Sequence, residues 1–182
     1  AAPGGSNTFE VGDKTIKMNG MFADADFFSM FSFPLLRGNA SNALNSPSGV
    51  AISHKMANMF FGSVEKAIGK TIRFENKLDL QVTAVFENLP ANSSLQFDFL
   101  RTWTDYVKEN NWVPNWGNTG PTTFIQWLAG ADPVKVEAKI KDLIYMYLAK
   151  NKSFVTEMGM QSFPETYMHS TFKNGKLDCV RI

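Results

Sequence analysis

Lys70-Thr71-Ile72-Arg73-Phe74-Glu75-Asn76-Lys77-Leu78-Asp79-Leu80-Gln81-Val82-Thr83-Ala84-Val85-Phe86 alternates apolar and polar residues on both sides of a polar turn. Ile72 and Phe74 share a face of the first arm, and Leu78, Leu80, Val82, Ala84 and Phe86 share a face of the second. A period of two residues is that of a half-buried strand, so the stretch predicts an antiparallel hairpin turning at Glu75-Asn76-Lys77. Upstream, Val50-Ala51-Ile52 reads as a brief strand. Ser53 then caps a helix with Met56, Met59 and Phe60 on one face, and Gly62 ends it. Further upstream, Phe9 to Met18 forms a hairpin about Gly12-Asp13. Asp24 caps a short helix with Phe27, Phe28 and Phe31 as its apolar face, Phe33 adds to that core, and Pro34 stops the helix. Arg37 to Gly49 is loop, and residues 1–8 read as a flexible leader.

Downstream, Asn88 to Ser94 is a loop and a lobe boundary. Leu95 to Leu100 reads as a strand, Thr104 to Asn110 as a helix, Asn111 to Pro121 as a loop and Thr123 to Leu128 as a strand. Asp132-Pro133 opens a helix, the Asp as cap and the Pro at its first position. Val136, Ile140, Leu143, Ile144 and Tyr147 make one continuous stripe on it. Gln161 to Met168 reads as a final strand. The expected class is α+β: two small lobes with mixed or antiparallel sheets and short helices.

Composition narrows the function. The chain has 182 residues, 44% hydrophobic and 13% aromatic with 16 Phe, enough for a substantial core. Lys and Arg number 18 against 17 acids, a net charge of +1, without the basic excess of a nucleic-acid binder. The single cysteine, Cys179, cannot make an internal disulfide and reads as a tail thiol. No stretch reaches the ~18 apolar residues of a membrane helix. The richest, Phe22 to Leu36, is interrupted by Asp24, Asp26 and Pro34. Ala1 to Asn7 lacks the charged-then-apolar order of a secretory signal.

Gly62 to Thr71, GSVEKAIGKT, ends in Gly-Lys-Thr as a phosphate-binding loop does. Six residues separate its first Gly from that triplet where such a loop has four, and a strand follows where a helix is needed. It reads as a turn. His54 has Asn58 at i+4, so zinc-protease spacing is absent, and His54 and His169 read as surface residues. Ser53 beside His54 has no nucleophile-elbow motif around it. Asp24 and Asp26 suit a helix start without implying a glycosidase. No catalytic residue, metal site or cofactor is assigned. Trp112 and Trp116, in a loop with Asn111, Asn115 and Asn118, could stack on a sugar, which makes Trp112, Asn115 and Trp116 the candidate ligand or partner loop. Trp103 and Trp127 are expected in the core.

Ala23-Asp24-Ala25-Asp26-Phe27-Phe28-Ser29-Met30-Phe31-Ser32-Phe33-Pro34-Leu35-Leu36-Arg37-Gly38-Asn39 resembles the "aDpsFFevFsFpLleGn" signature of the MacB-like periplasmic core domain. This is a domain of ABC-transporter permeases of the macrolide-exporter/FtsX-like family, here of the Bacteroidetes type. The order continues through Phe60-Phe61-Gly62, Ile68-Gly69-Lys70-Thr71, Asn88-Leu89-Pro90-Ala91-Asn92-Ser93, Leu95-Gln96-Phe97-Asp98-Phe99-Leu100, Trp116, Ala131-Asp132-Pro133 and Tyr167-Met168-His169-Ser170. The resemblance spans about Val11 to His169, and its motifs are structural. It implies a non-catalytic extracytoplasmic domain of a permease in the inner membrane, coupling ATP-driven helix motion to export or transmembrane signalling. Residues 9–92 would form the inserted, Sabre-like lobe. Residues 93–182 would form the C-terminal half of a split, Porter-like lobe, incomplete here because its first half and the membrane helices lie beyond this chain. The implied partners are an ATP-binding subunit or domain and a periplasmic adaptor or outer-membrane protein, and the incomplete lobe is expected to self-associate. The competing reading is a secreted carbohydrate- or peptide-binding module using Trp112 and Trp116, with a hydrolase third.

Overall fold

The computed structural model describes residues 1–118, 120–148, 157–164, 169–173 and 176–180, the last two segments by backbone alone. The chain divides into two compact units, Ala1–Gln126 and Trp127–Ile182.

In the first unit the sequence reading is clearest at its turns and caps. β1 (Ala2–Val11) and β2 (Lys14–Ala23) pair antiparallel about Gly12-Asp13, with Gly12 at φ 56°. The turn lies where expected, but the strands are far longer. Residues 1–8 are correspondingly no leader: Ala2 to Thr8 pair with β2 from Phe22 to Lys17, and a bulge between Pro3 and Gly5 absorbs the irregularity. After α1 (Phe27–Met30) and β3 (Leu35–Arg37), β4 (Gly49–Ser53) leads straight into α2 (His54–Phe61). Ser53 Oγ accepts the Met56 N–H at 3.2 Å, and Gly62 ends α2 at φ 82°. Asp24, in contrast, does not cap α1. Asp26 holds the cap position without a side-chain bond, and Asp24 Oδ1 accepts from the adjacent Ala25 N–H.

The hairpin at 70–86 forms as β5 (Thr71–Phe74) and β6 (Leu78–Phe86), with Glu75 and Asn76 both at φ 51° in the turn. α3 (Val64–Ala67) precedes it, and β7 (Phe99–Thr102) and α4 (Trp103–Glu109) follow. The strand expected at Leu95 to Leu100 is thus shorter and shifted. Thr123 to Leu128 is irregular, since no neighbouring strand pairs with it.

The strand order is β3-β6-β4-β7-β2-β1-β5, and β5 also pairs with β6. Six strands therefore close into a ring, with β3 appended to β6. β4 and β7 lie between two apolar clusters, so every residue of each is buried. Alternate residues feed two cores. Phe9, Val50, Ile52, Ile72, Phe74, Leu80 and Phe99 pack with Met56 and Phe60 of α2. Phe27, Phe28, Ala51, Ala84, Phe86, Phe97 and Leu100 form the second cluster, on the opposite side of the same strands. Met59, expected on the apolar face of α2, is 37% exposed.

Gly20 of β2 pairs with Phe99, and a Cβ there would lie 2.2 Å from the Phe99 ring. That ring is fully buried edge-on against Phe9 and Phe74, so it has nowhere to go. Gly20→Val is expected to lower stability by at least the ~1–3 kcal/mol typical of overpacking. Phe99→Leu in the same chain should restore part of it, as read from denaturant midpoints. A Gly20→Val protein as stable as its parent would show that the two strands do not approach this closely.

The expected boundary at 92/93 falls inside the first unit, because β7 lies between β4 and β2. In the second unit, Asp132 Oδ1 accepts the Val134 N–H at 3.1 Å and starts α5 (Pro133–Ile140) as read from the sequence. A 3-10 turn at Leu143–Met146 carries on the stripe in place of a continuous helix. Lys141 pairs with Glu157 at 3.0 Å, and that hydrogen bond and charge hold its ammonium pKa above the ordinary value. β8 (His169–Lys173) pairs antiparallel with β9 (Lys176–Val180). Of the strand expected at Gln161 to Met168, residues 161–164 form no strand and 165–168 lie outside the described residues.

Candidate functional site

The loop holding the candidate residues leaves α4 at Asn110, and its own polar groups organise it. Asn115 Oδ1 accepts the Gly117 N–H at 2.9 Å, Asn118 Nδ2 donates to the Trp112 carbonyl at 3.1 Å, and Trp112 Nε1 donates to Asn110 Oδ1 at 3.3 Å. Trp112 meets Tyr106 of α4 edge-on at 6.2 Å, and Tyr106 in turn contacts Trp103 and Phe22. Trp112, Asn115 and Trp116 thus share one loop anchored to α4. A sugar platform needs side-chain donors and acceptors turned toward its ring; here the carbonyl oxygen of Asn115 and an amide N–H of Asn118 serve the loop's own backbone. Trp127, expected in the core, is 39% exposed because the segment holding it joins no sheet.

Along α4 lies a constellation that sequence reading passed over. Arg101 of β7 is 1% exposed. Its guanidinium donates to Glu109 through two bonds, at 2.7 and 3.3 Å, and lies 3.5 Å from Asp105. It sits over the rings of Phe74, at 4.6 Å from the centroid, and Phe22, at 5.1 Å. Two carboxylates and two ring faces compensate a charge that burial would otherwise penalise heavily. The signal was present: an arginine directly follows the apolar pair Phe99-Leu100, with acids four and eight residues later on the helix that follows. The pairing ties α4, and the loop beyond it, to the strand ring.

The Gly69-Lys70-Thr71 triplet has no room for phosphate. The Gly69 N–H donates to Val82 O and the Lys70 N–H to Ala67 O, both at about 3 Å, and Thr71 begins a strand. A phosphate loop leaves such amides free ahead of a helix. Titrating ATP with magnesium into the protein is therefore expected to give no saturable heat. A micromolar dissociation constant abolished by Lys70→Ala would refute this. Ser53 Oγ is buried and committed to its cap, so it cannot serve as a nucleophile activated by His54. Asp24 and Asp26 border a cavity of about 300 Å³ walled by Phe27, Phe31, Trp103 and Phe124. Ala1 and Thr122, which also line it, exchange two hydrogen bonds, at 2.7 and 2.8 Å. Among the described residues no three His, Cys, Asp or Glu side chains are placed to hold a metal ion, and no helix is long and apolar enough to cross a membrane.

Residues 1–143 match the family described as MacB-like periplasmic core domain. No curated protein matches the chain. Among solved structures, a domain of a protein assigned as a permease from Porphyromonas gingivalis superposes with TM-score 0.63. It is 23% identical over 81% of this chain and 68% of its own. The periplasmic region of MacB from Actinobacillus actinomycetemcomitans gives TM-score 0.51 and 17% identity, over 78% of this chain and 62% of its own. The extracellular domain of the ABC-type transporter YknZ from Gram-positive bacteria gives 0.46 and 14%, over 65% and 58%. This chain therefore spans between 58% and 68% of the length of these domains.

Proposed function

The chain belongs to the family of MacB-like periplasmic core domains, and from that membership we propose that it transmits ATP-driven movement of a permease's membrane helices to the outer side of the inner membrane. The match over residues 1–143 carries this reading; the fold shared with the permease domain and the MacB periplasmic region, both above TM-score 0.5, is consistent with it. The role is mechanical and non-catalytic. It needs an ATP-binding subunit or domain in the same transporter, and an adaptor or outer-membrane protein is a natural further partner. A closed six-stranded ring suits transmission, since a ring with no open edge within it resists shear better than a sheet that can splay. In this reading the inserted lobe lies within Ala1–Gln126 and Trp127–Ile182 belongs to the split lobe, the two units being those into which the chain divides.

The test uses the parent permease reconstituted with its ATPase, with Cys179 replaced by Ser and spin labels at introduced cysteines. A pair within the first unit, Glu10→Cys with Glu65→Cys, is expected to keep its distance when ATP is trapped with vanadate. A pair across the units, Glu65→Cys with Glu137→Cys, is expected to shift. Identical distances in both nucleotide states for both pairs would remove the mechanical role.

A further inference from the structure

The 22 residues from Asn110 to Ala131 contain no charged side chain, the longest such run in the chain. At the chain's 19% charged composition a run of that length would carry about four. All 18 cations and 17 anions lie outside it, with Glu109 and Asp132 at its ends. Three of the four tryptophans lie inside it. Among the described residues of the first unit, five large apolar side chains are substantially exposed. Three belong to this run: Trp112 at 38%, Trp116 at 42% and Ile125 at 55%.

We propose that the segment 110–126 is a contact for the headgroup interface of a lipid bilayer, on the extracytoplasmic face of the membrane that holds the permease. Interfaces of this kind favour Trp, whose large ring enters the boundary region while its N–H stays near polar groups. They penalise charge, and 22 consecutive residues offer none. Protein interfaces share the enrichment in Trp and the depletion of charge, so a second copy is the competing occupant that the experiment below separates. A sugar would need the loop's amide groups, which the loop uses on itself. The absence of Lys and Arg also sets the lipid class, because attraction to anionic lipid comes from basic residues. The surface therefore takes neutral, zwitterionic lipid. The proposal rests on the permease reading, which keeps the domain beside a bilayer, where weak affinity suffices because tethering raises effective concentration to the millimolar range.

The experiment mixes the 182-residue chain with phosphatidylcholine vesicles at millimolar lipid and measures co-sedimentation, with brominated lipid as a quencher of tryptophan fluorescence. Expected are binding to neutral vesicles, quenching, and no gain from anionic lipid or loss in high salt. Trp112→Ser with Trp116→Ser should lower the partition coefficient about tenfold or more, from the apolar area no longer buried. Ile125→Asp, at a more exposed position that leaves the Trp112 anchor intact, should lower it too with an unchanged thermal melt. No binding, binding only to anionic lipid, or variants that bind as the parent does would each overturn the proposal. So would a tryptophan-dependent dimer in the absence of lipid, which would assign the surface to a second copy. Vesicle binding needs no ATPase, so failure here leaves the nucleotide-dependent distances to judge the permease reading separately.

Discussion

Arg101→Ala is expected to cost ~3–5 kcal/mol, the usual penalty for breaking a buried ion pair by removing one partner. Against a total of ~5–15 kcal/mol for a domain, such a loss leaves the protein marginal. The reason lies in what remains. The side chain of Asp105 is only 10% exposed and would be left with no cation to meet it, while Phe22 and Phe74 would face a void where the guanidinium had been. Glu109, with a side chain 40% exposed, can turn to water, so Glu109→Gln is expected to cost about 1 kcal/mol or less. Arg101→Met with Asp105→Asn keeps the volume and removes both charges, and should recover much of the loss. Denaturant midpoints of the three variants and the parent check this ordering. An Arg101→Ala protein as stable as its parent would mean that the cluster contributes nothing to the fold.

Phe27→Ala should be comparably damaging, by ~3–5 kcal/mol. Phe27 is 5% exposed and its ring meets those of Phe28, Phe31, Phe33 and Phe97 at 4.9 to 5.9 Å. α1 is only four residues long and has no side-chain cap, so this aromatic packing is what holds it against the strand ring. Phe28→Ala removes a ring of equal burial that meets Phe27 and Phe86, and should fall in the same range. Unchanged unfolding midpoints for both would show that the phenylalanine run packs against nothing in this chain.

The sequence disclosed what is decided locally. The Ser53 cap, the Gly62 stop, the Glu75-Asn76-Lys77 turn and the Asp132-Pro133 helix start each depend on a few neighbouring residues, and each stands where it was read. Pairing partners distant in sequence were illegible. Pro3-Gly4-Gly5-Ser6-Asn7 has the composition of a leader, yet pairing with β2 draws it into a strand. Thr123 to Leu128 has strand propensity without a neighbour to pair with, and propensity alone does not make a strand. Asn111 to Pro121 was legible as a loop, and its described residues form no helix or strand. That its asparagines bond inward depends on side-chain directions that spacing does not encode. Arg101 was readable in principle, through its acids at i+4 and i+8, but only once β7 is known to be buried on both faces.

The ring's closing strand also sets an order of events. β7 enters between β4 and β2, pairing Val50 with Arg101 on one side and Gly20 with Phe99 on the other. During synthesis or translocation, every other strand of the ring is available before residue 99 emerges. Until then β4 and β2 flank an open slot, each with a row of unpaired backbone groups and with Phe9, Ile52 and Phe74 accessible from the gap. Such edges capture other chains, and contacts this far apart in sequence form slowly. A nascent chain stalled shortly before Phe99 would be an aggregation hazard that the finished domain is not, and a peptide spanning Phe97 to Thr102 would be its natural rescuer.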